Sequence, residues 1–373
     1  MKPQLLLLLL GTGLADFSQA QDNDAITAKK IGSYFQLEIQ TTTLSGEEKN
    51  SIFVMDTGST GIVGSAGFFI PTAEEQASST CSTLSYSSSG NTYAGYIINR
   101  DLSFGTPGKP PTKHLKNFPV FAAVQHCPNS KNKPTCSKTP APACNHDPKV
   151  FMMGVGFDSP HGISQVDADQ ANPTNPFLNL VDDNGVPFEN QNYALTSTHS
   201  NSSSIDVYLA STENPLPNLG NTLTLPLSAS PTNPTALVAP VLPFAITSKS
   251  NGEVVYPPTG PQPARVLPDT GISYGIVSVA ETTPPCCTTS PTSRQIETSD
   301  YEMQLYVNKQ NKEPLVTLSY GNDQALGQSA RWSLGHKEVS PMLFNSGQLF
   351  FEHCNYFYSP ADKQVTLSCA SDQ

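Results

Sequence analysis

Charge is scarce in this chain, and most of it is negative. Charged residues make up 14% of the 373 residues, with 20 Lys and Arg against 31 Asp and Glu, which gives a formal net charge of −11. A chain with so little positive charge is poorly suited to bind phosphate groups. We therefore expect no nucleic acid partner.

Long hydrophobic runs are also missing beyond the first residues. Residues 5–10 are consecutive leucines, a run too short to span a bilayer, and no second run of that kind follows. We therefore expect no membrane anchor. Lys2 precedes the run and Ser18-Gln19-Ala20 supplies small residues for cleavage, which together predict a signal peptide over residues 1–20. The mature protein is then expected to be secreted and extracellular.

Helical periodicity is rare as well. The best window is PFLNLVDD, within the segment 175–186, where we expect a helix. Short runs rich in Val, Ile, Thr, Tyr and Phe, separated by many of the 33 prolines and 25 glycines, predict strands elsewhere. Examples are TLTLPL (222–227), PFAIT (243–247) and EMQLYV (302–307). We predict an all-β fold, and the length is sufficient for two lobes with cores of their own.

All eight cysteines follow the predicted signal peptide, and an even count in a secreted chain indicates disulfides. Cys127, Cys136 and Cys144 share the segment 127–148 with His146, and His126 directly precedes it. A zinc site is the alternative there, but the spacing matches no standard ligand set, so we expect a cross-linked insertion and no metal. The pairing is left open, because eight cysteines can pair in many ways. The other five are Cys81, Cys286, Cys287, Cys354 and Cys369.

One N-glycosylation sequon is present, Asn201-Ser202-Ser203, and it predicts a glycoprotein with a sugar on Asn201.

The tripeptide Asp-Thr-Gly occurs twice, as Asp56-Thr57-Gly58 and as Asp269-Thr270-Gly271, each at the end of an apolar stretch. The two aspartates are 269 − 56 = 213 residues apart, about one domain length. Two lobes that each present one carboxylate from the same loop can place these carboxylates face to face. Two adjacent carboxylates share one proton, so one is a base and the other an acid for a bound water. This chemistry requires no cofactor, and we expect none.

The chain resembles the pepsin-like aspartic proteases, and the resemblance extends in order over nearly the whole mature chain. It implies a bilobal fold with a substrate cleft, with an N-terminal β lobe over residues 21–195 and a C-terminal β lobe over 196–373. The matching segments are GSYFQLEIQ (32–40), LSYSSSGNTYAGYII (84–98), KVFMMGVGF (149–157), NPFLNLVDDNGV (175–186), SSIDVYLAS (203–211), LGNTLTLPLS (219–228) and SGQLFFEHCNYFYS (346–359).

The resemblance also implies roles for individual residues. Asp56 and Asp269 would be the catalytic pair, and the glycines that follow, Gly58 and Gly271, would permit tight turns. Thr57 and Thr270 would join the two loops by hydrogen bonds, and Ser59 would orient Asp56. Tyr86 would close over the substrate from a flap hairpin, with Tyr93 as the alternative because this hairpin is longer than usual.

Several positions depart from the family pattern, mainly in the second lobe. Ile272 stands where a hydroxyl residue is usual, so Asp269 is expected to lose one hydrogen bond, which would raise the first macroscopic pKa of the pair. Pro268 removes a backbone donor directly before Asp269. Asn345-Ser346 is polar where the pattern is apolar. The only tryptophan, Trp332, is far from the place where the family has one.

We therefore predict a secreted aspartic endopeptidase that hydrolyses peptide or protein substrates at acidic pH as a monomer. Only 35 residues separate Gln21 from Asp56 and they include the first predicted strand, so no inhibitory pro-segment is expected. The departures leave two alternatives open. One is a pepsin-like binding protein with weak or no catalysis, and the other is a non-hydrolytic enzyme that uses the same acid pair.

Overall fold

The computed structural model describes residues 25–43, 46–86, 89–128, 134–137, 144–146, 148–156, 175–189, 191–197, 203–209, 216, 220–229, 237–279, 296, 298–321, 329–334 and 342–370. The predicted signal peptide, Asn201, Cys286 and Cys287 lie outside these residues. No helix within these ranges is long and apolar enough to cross a membrane.

Strands dominate the described chain, as predicted. In the first half they are β1 (Ile26–Ile31), β2 (Tyr34–Thr42), β3 (Glu48–Asp56), β4 (Thr60–Ser65), β5 (Ser82–Tyr86), β6 (Asn91–Gly105), β7 (Lys113–Cys127), β8 (Asn145–His146), β9 (Phe151–Val155), β10 (Tyr193–Thr196) and β11 (Ser204–Leu209).

The second half continues with β12 (Gly220–Pro226), β13 (Ser228–Ala229), β14 (Leu237–Val238), β15 (Val241–Ser248), β16 (Val254–Tyr256), β17 (Gln262–Pro268), β18 (Gly275–Val279), β19 (Tyr301–Leu305), β20 (Val316–Leu318), β21 (Ala330–Leu334), β22 (Met342–Gly347), β23 (Cys354–Ser359) and β24 (Gln364–Ala370). The described helices are α1 (Ala73–Ser78) and α2 (Phe350–His353).

The described strands form two large sheets. A 14-stranded sheet holds β1–β11 together with β12, β23 and β24, and an 8-stranded sheet holds β15–β22. A two-stranded pair, β13 and β14, lies apart. Two β-rich bodies result, so the prediction of an all-β, bilobal, pepsin-like fold is confirmed. The chain crosses between the sheets more than once, because β23 pairs with β10 after the second sheet is complete.

The alternation of apolar residues along the strands explains these sheets. Phe35, Leu37 and Ile39 in β2 are fully buried, whereas the side chains between them are half-buried, the pattern of a strand with one face on a core. Phe244 of β15 and Phe344 of β22 pack in the second half with ring centroids 4.7 Å apart. Each half thus buries aromatic side chains of its own.

The predicted helix at 175–186 is wrong. Only a 3₁₀ turn, Pro176–Leu178, forms there, because backbone groups that a longer helix would use have other partners. The side chain of Gln191 accepts from the Leu180 N–H and donates to the Leu180 carbonyl, at 2.6 and 3.3 Å. The Val181 N–H donates to the His114 carbonyl of β7 at 3.0 Å. These tertiary bonds outweigh the helical spacing of the apolar residues.

Candidate active site

The two Asp-Thr-Gly loops lie in equivalent strand arrangements. In the first half β3 runs parallel to β9, and β4 runs antiparallel on the other side of β9. In the second half β17 runs parallel to β22, and β18 runs antiparallel on the other side of β22. Each loop therefore connects the two outer strands of a three-stranded unit. Asp56 is the last residue of β3, and Asp269 directly follows β17.

This arrangement brings the two carboxyl groups together. Asp56 and Asp269 are each 5% exposed, and each carboxyl group lies against the Asp-Thr-Gly loop of the other half. A Cβ atom added at Gly58 would overlap the Asp269 carboxyl group, and one added at Gly271 would overlap that of Asp56. The glycines are thus required because each loop passes closely over the carboxylate of the other half.

Thr57 and Thr270 join the loops reciprocally. The Thr57 hydroxyl donates to the Pro268 carbonyl at 2.7 Å and accepts from the Thr270 N–H at 3.0 Å. The Thr270 hydroxyl donates to the Met55 carbonyl at 2.6 Å and accepts from the Thr57 N–H at 3.0 Å. Both side chains are buried, so four backbone groups at the centre of the molecule have these two hydroxyls as partners.

The donors to the two carboxylates differ in kind. Asp56 accepts from the Gly58 N–H at 2.8 Å through Oδ1 and from the Ser59 hydroxyl through Oδ2. Asp269 accepts from the Gly271 N–H at 2.8 Å through Oδ1, but its Oδ2 accepts from the Asn345 amide Nδ2 at 2.6 Å. The expectation that Asp269 lacks one hydrogen bond is therefore wrong. Ile272 is buried and cannot donate, and Asn345 from β22 supplies the second donor instead.

Burial dominates the electrostatics of the pair. It raises the pKa of Asp56, while the hydrogen bonds from Ser59, Asp269 and Gly58 act in the opposite direction. Burial raises the pKa of Asp269 well above its usual range, and the negative charge of Asp56 raises it further, against the hydrogen bond from Asn345. Because both pKa values are raised and the charge of Asp56 opposes the ionisation of Asp269, the pair holds one shared proton after the first has been lost.

The predicted flap is a hairpin of β5 and β6, in which Tyr86 lies opposite Asn91. Burial raises the pKa of Tyr86 well above its usual range, and the charge of Asp56 adds to the effect, which places this phenol within the electrostatic reach of the dyad. Tyr93 belongs to a small apolar cluster against which Tyr86 also packs, and its ring stacks on His126, with centroids 4.8 Å apart. Of the two tyrosines, Tyr86 is the one near the carboxylates.

Two other residues that depart from the family pattern, Pro268 and Trp332, lie in strands of the second sheet. Pro268 ends β17 at a register shift against β22, and its carbonyl accepts from Thr57, so its missing N–H falls at an irregularity of the ladder. Trp332 lies in β21, where its backbone pairs with Val277, away from the first loop.

Sequence reasoning missed Gln348. Its side-chain amide donates to the Thr270 carbonyl at 3.0 Å and to the Ser33 carbonyl at 2.8 Å, so it connects the second loop to the first half of the chain. Asn345 was noticed only as a polar residue in a predicted apolar strand. That mismatch was the available signal, because a buried amide needs a partner.

The predicted disulfides are confirmed for six of the eight cysteines. The bonded pairs are Cys81–Cys136, Cys127–Cys144 and Cys354–Cys369. The three cysteines of the segment 127–148 are thus bonded to other cysteines, and no free thiolate of these three remains to bind zinc. Across the part of the chain that the structure describes, no group of three or more His, Cys, Asp and Glu could hold a metal ion.

Comparison with known proteins supports the fold and leaves the activity open. The structure is similar to the crystal structure of the aspartic proteinase from Irpex lacteus, with a TM-score of 0.51 and 13% sequence identity over 93% of this chain and 97% of that one. No protein-family model matches the sequence. No curated protein matches it significantly by sequence.

Proposed function

We propose that this protein is an aspartic-type endopeptidase that hydrolyses extended peptides at acidic pH. The observation that carries the proposal is the carboxyl pair: Asp56 and Asp269 come from different halves of the chain, each lies against the loop that presents the other, and both are buried. The reciprocal hydroxyls of Thr57 and Thr270 hold the two loops that present them. A structural support this specific is expected where a fixed distance between two acids matters.

The mechanism uses one proton on the pair. The Asp56 carboxylate removes a proton from a water between the two acids, and the resulting hydroxide attacks the scissile carbonyl carbon. Asp269 gives its proton to the carbonyl oxygen, and a tetrahedral diol forms. In the second step the peptide nitrogen gains the proton that Asp56 took from the water, the C–N bond breaks, and one diol hydroxyl returns its proton to Asp269. The products are an acid and an amine, and the dyad again holds one proton. At very low pH both carboxyls are protonated and the base is lost, whereas at higher pH the acid is lost.

An extended peptide is the substrate that this surface suits. The β5–β6 hairpin presents Tyr86 to the carboxyl pair, and such a hairpin can bind a substrate strand by main-chain hydrogen bonds. The Irpex lacteus neighbour is described as a proteinase, which favours the same class of substrate. Three disulfides favour an oxidising compartment, so we include secretion in the proposal.

The test compares Asp56→Asn and Asp269→Asn with the unchanged protein on a mixed peptide library at several acidic pH values. Each variant should lose essentially all cleavage, because an amide can neither accept nor share the proton. The exposed carboxylate Asp183, whose side chain is 92% exposed, gives the control Asp183→Asn, which should cleave normally. Retention of more than a few per cent of activity in either dyad variant would reject the proposal. Specific peptide binding without cleavage by the unchanged protein would favour the binding-protein alternative.

A further inference from the structure

Asn345 has a fixed orientation at the dyad. Its Nδ2 donates to Asp269 Oδ2 at 2.6 Å, and its Oδ1 accepts from the Gly347 N–H at 3.0 Å. The side chain is 7% exposed, so water does not compete freely for either end. Because the Gly347 N–H can only donate, it fixes the oxygen of the amide on its own side, and the NH₂ group must face Asp269.

The internal symmetry of the chain shows which residue Asn345 replaces. In the second half Asn345 pairs with Leu267, two residues before Asp269, and in the first half Met152 pairs with Val54, two residues before Asp56. Asn345 therefore occupies the position of Met152, an apolar residue that donates nothing to Asp56.

The same symmetry shows that Ile272 occupies the position of Ser59. Each follows its aspartate by three residues and each is buried. The Ser59 carbonyl accepts from the Gly156 N–H at 2.7 Å, and the Ile272 carbonyl accepts from the Gln348 N–H at 3.0 Å. The second half thus has no hydroxyl donor at Ile272, and it has an amide donor at Asn345.

We propose that Asn345 is a positioning residue that takes over, at Asp269, the role that the Ser59 hydroxyl has at Asp56. This inference rests on the proposed function, and it adds that the two catalytic carboxylates are held by different kinds of donor. A hydroxyl can either donate or accept, but an amide NH₂ can only donate. Oδ2 of Asp269 is therefore held as an acceptor, and the proton that Asp269 carries in the active form is confined to Oδ1, on the side that hydrogen-bonds to the Gly271 N–H.

The titratable groups around the pair are tyrosines and one arginine. Tyr86 lies near Asp56, and Tyr274 lies within electrostatic reach of Asp269. The guanidinium of Arg331 stacks on the Tyr274 ring, 4.3 Å from its centroid, and Tyr34 is also near Tyr274. Burial raises the pKa of both Tyr86 and Tyr274 above the usual range of tyrosine, so neither phenol changes its charge in the acidic range and the dyad itself does.

The inference makes the two limbs of the pH–rate profile respond to different residues. Asp56 loses its proton first and governs the acidic limb, whereas Asp269 loses the second proton and governs the alkaline limb. Asn345→Met, which installs the residue of the equivalent first-half position, removes a donor from Asp269 only. The alkaline limb should move upward by about one to two pH units, with a much smaller change in the acidic limb. Ser59→Ala should do the reverse and raise the acidic limb.

A second substitution provides the rescue. Ile272→Thr places a hydroxyl at the position equivalent to Ser59, so it should return the alkaline limb of Asn345→Met toward its original pH. In the unchanged background Ile272→Thr should have little effect, because Asp269 Oδ2 already has a donor. Ser346→Ala is the matched control, since its hydroxyl donates to the Leu267 carbonyl at 3.3 Å in the same strand and does not contact the dyad. It should leave both limbs in place.

A direct titration separates this inference from the proposed activity. Carboxyl ¹³C shifts of selectively labelled aspartate, assigned with Asp56→Asn and Asp269→Asn, follow both protons whether or not the protein cleaves peptides. The inference is supported if Asn345→Met raises the titration of Asp269 and the added Ile272→Thr reverses it. An unchanged titration of Asp269, equal shifts of both aspartates, or no rescue would each overturn it. Absent cleavage with the expected titrations would reject the peptidase proposal alone.

Discussion

The reciprocal threonines lead to a quantitative prediction about stability. Thr57→Val and Thr270→Val keep the shape of each side chain and remove only its hydroxyl. After Thr57→Val, the Pro268 carbonyl and the Thr270 N–H lose their partner, and after Thr270→Val the Met55 carbonyl and the Thr57 N–H lose theirs. Each substitution thus removes the hydroxyl partner of two backbone groups at a site that water does not reach.

The size of the effect follows from those groups. An unsatisfied buried polar group costs about 1–3 kcal/mol, so each valine variant should lose about 2–6 kcal/mol of unfolding free energy. The two losses should be similar, because the same pattern is broken on either side. Thr57→Ser and Thr270→Ser keep the hydroxyl and delete one methyl group, which costs about 1 kcal/mol. The valine variants should therefore be clearly less stable than the serine variants, although valine is the more hydrophobic residue.

Urea denaturation of the four single variants, followed by circular dichroism at one pH, measures these differences. The ranking of serine above valine at both positions is the decisive result. If Thr57→Val or Thr270→Val were as stable as the corresponding serine variant, the hydroxyls would not be satisfying these backbone groups. A large loss at one position and none at the other would show that the loops do not support each other reciprocally.

Two further predictions concern the carboxylates and the glycine between them. Gly271→Ala should abolish cleavage and lower stability, because the added Cβ overlaps Asp56. Gly67→Ala is the control and should behave normally, because the nearest atom would be 3.4 Å from its Cβ. Normal activity of Gly271→Ala would show that the loops are not as close as described. Burial raises the pKa of Asp269 in the folded state, so its contribution to stability is fully present below the ordinary value of 3.8 and is lost as the pH rises through the raised folded pKa. Asp269→Asn cannot ionise, so between acidic and neutral pH its urea midpoint should fall less than that of the unchanged protein; parallel curves would contradict this.

Much of the arrangement was predictable because it depends on local patterns. The alternation in β2 and the apolar stretch that ends at Asp56 are visible over a few residues, and they indicate strands and a loop at a strand end. The repeated Asp-Thr-Gly indicated that two such loops meet. The role of Tyr86 over the carboxylates is implied only by the resemblance to the pepsin-like proteases.

The errors arise where tertiary contacts decide the outcome. The segment that begins at Asn175 has helical spacing, but Gln191 and His114 provide its backbone with other partners. The donor from Asn345 to Asp269 joins residues 76 apart, and it depends on the parallel pairing of β17 with β22. No local pattern encodes that pairing, and so a position that looked like a defect in an apolar strand turned out to hold a hydrogen-bond donor.

The two halves of the site solve the same problem with residues at different positions. Asp56 receives its second donor from the loop that follows it, and Asp269 receives its second donor from the central strand of its unit. The absence of a hydroxyl at Ile272 therefore carries no information about activity unless Asn345 is considered with it. A departure from a motif weakens a functional prediction only when no other residue in the fold can reach the same atom. Asn345 reaches Asp269 Oδ2, and for that reason the Asp269 carboxylate has a donor at each oxygen, as the Asp56 carboxylate has.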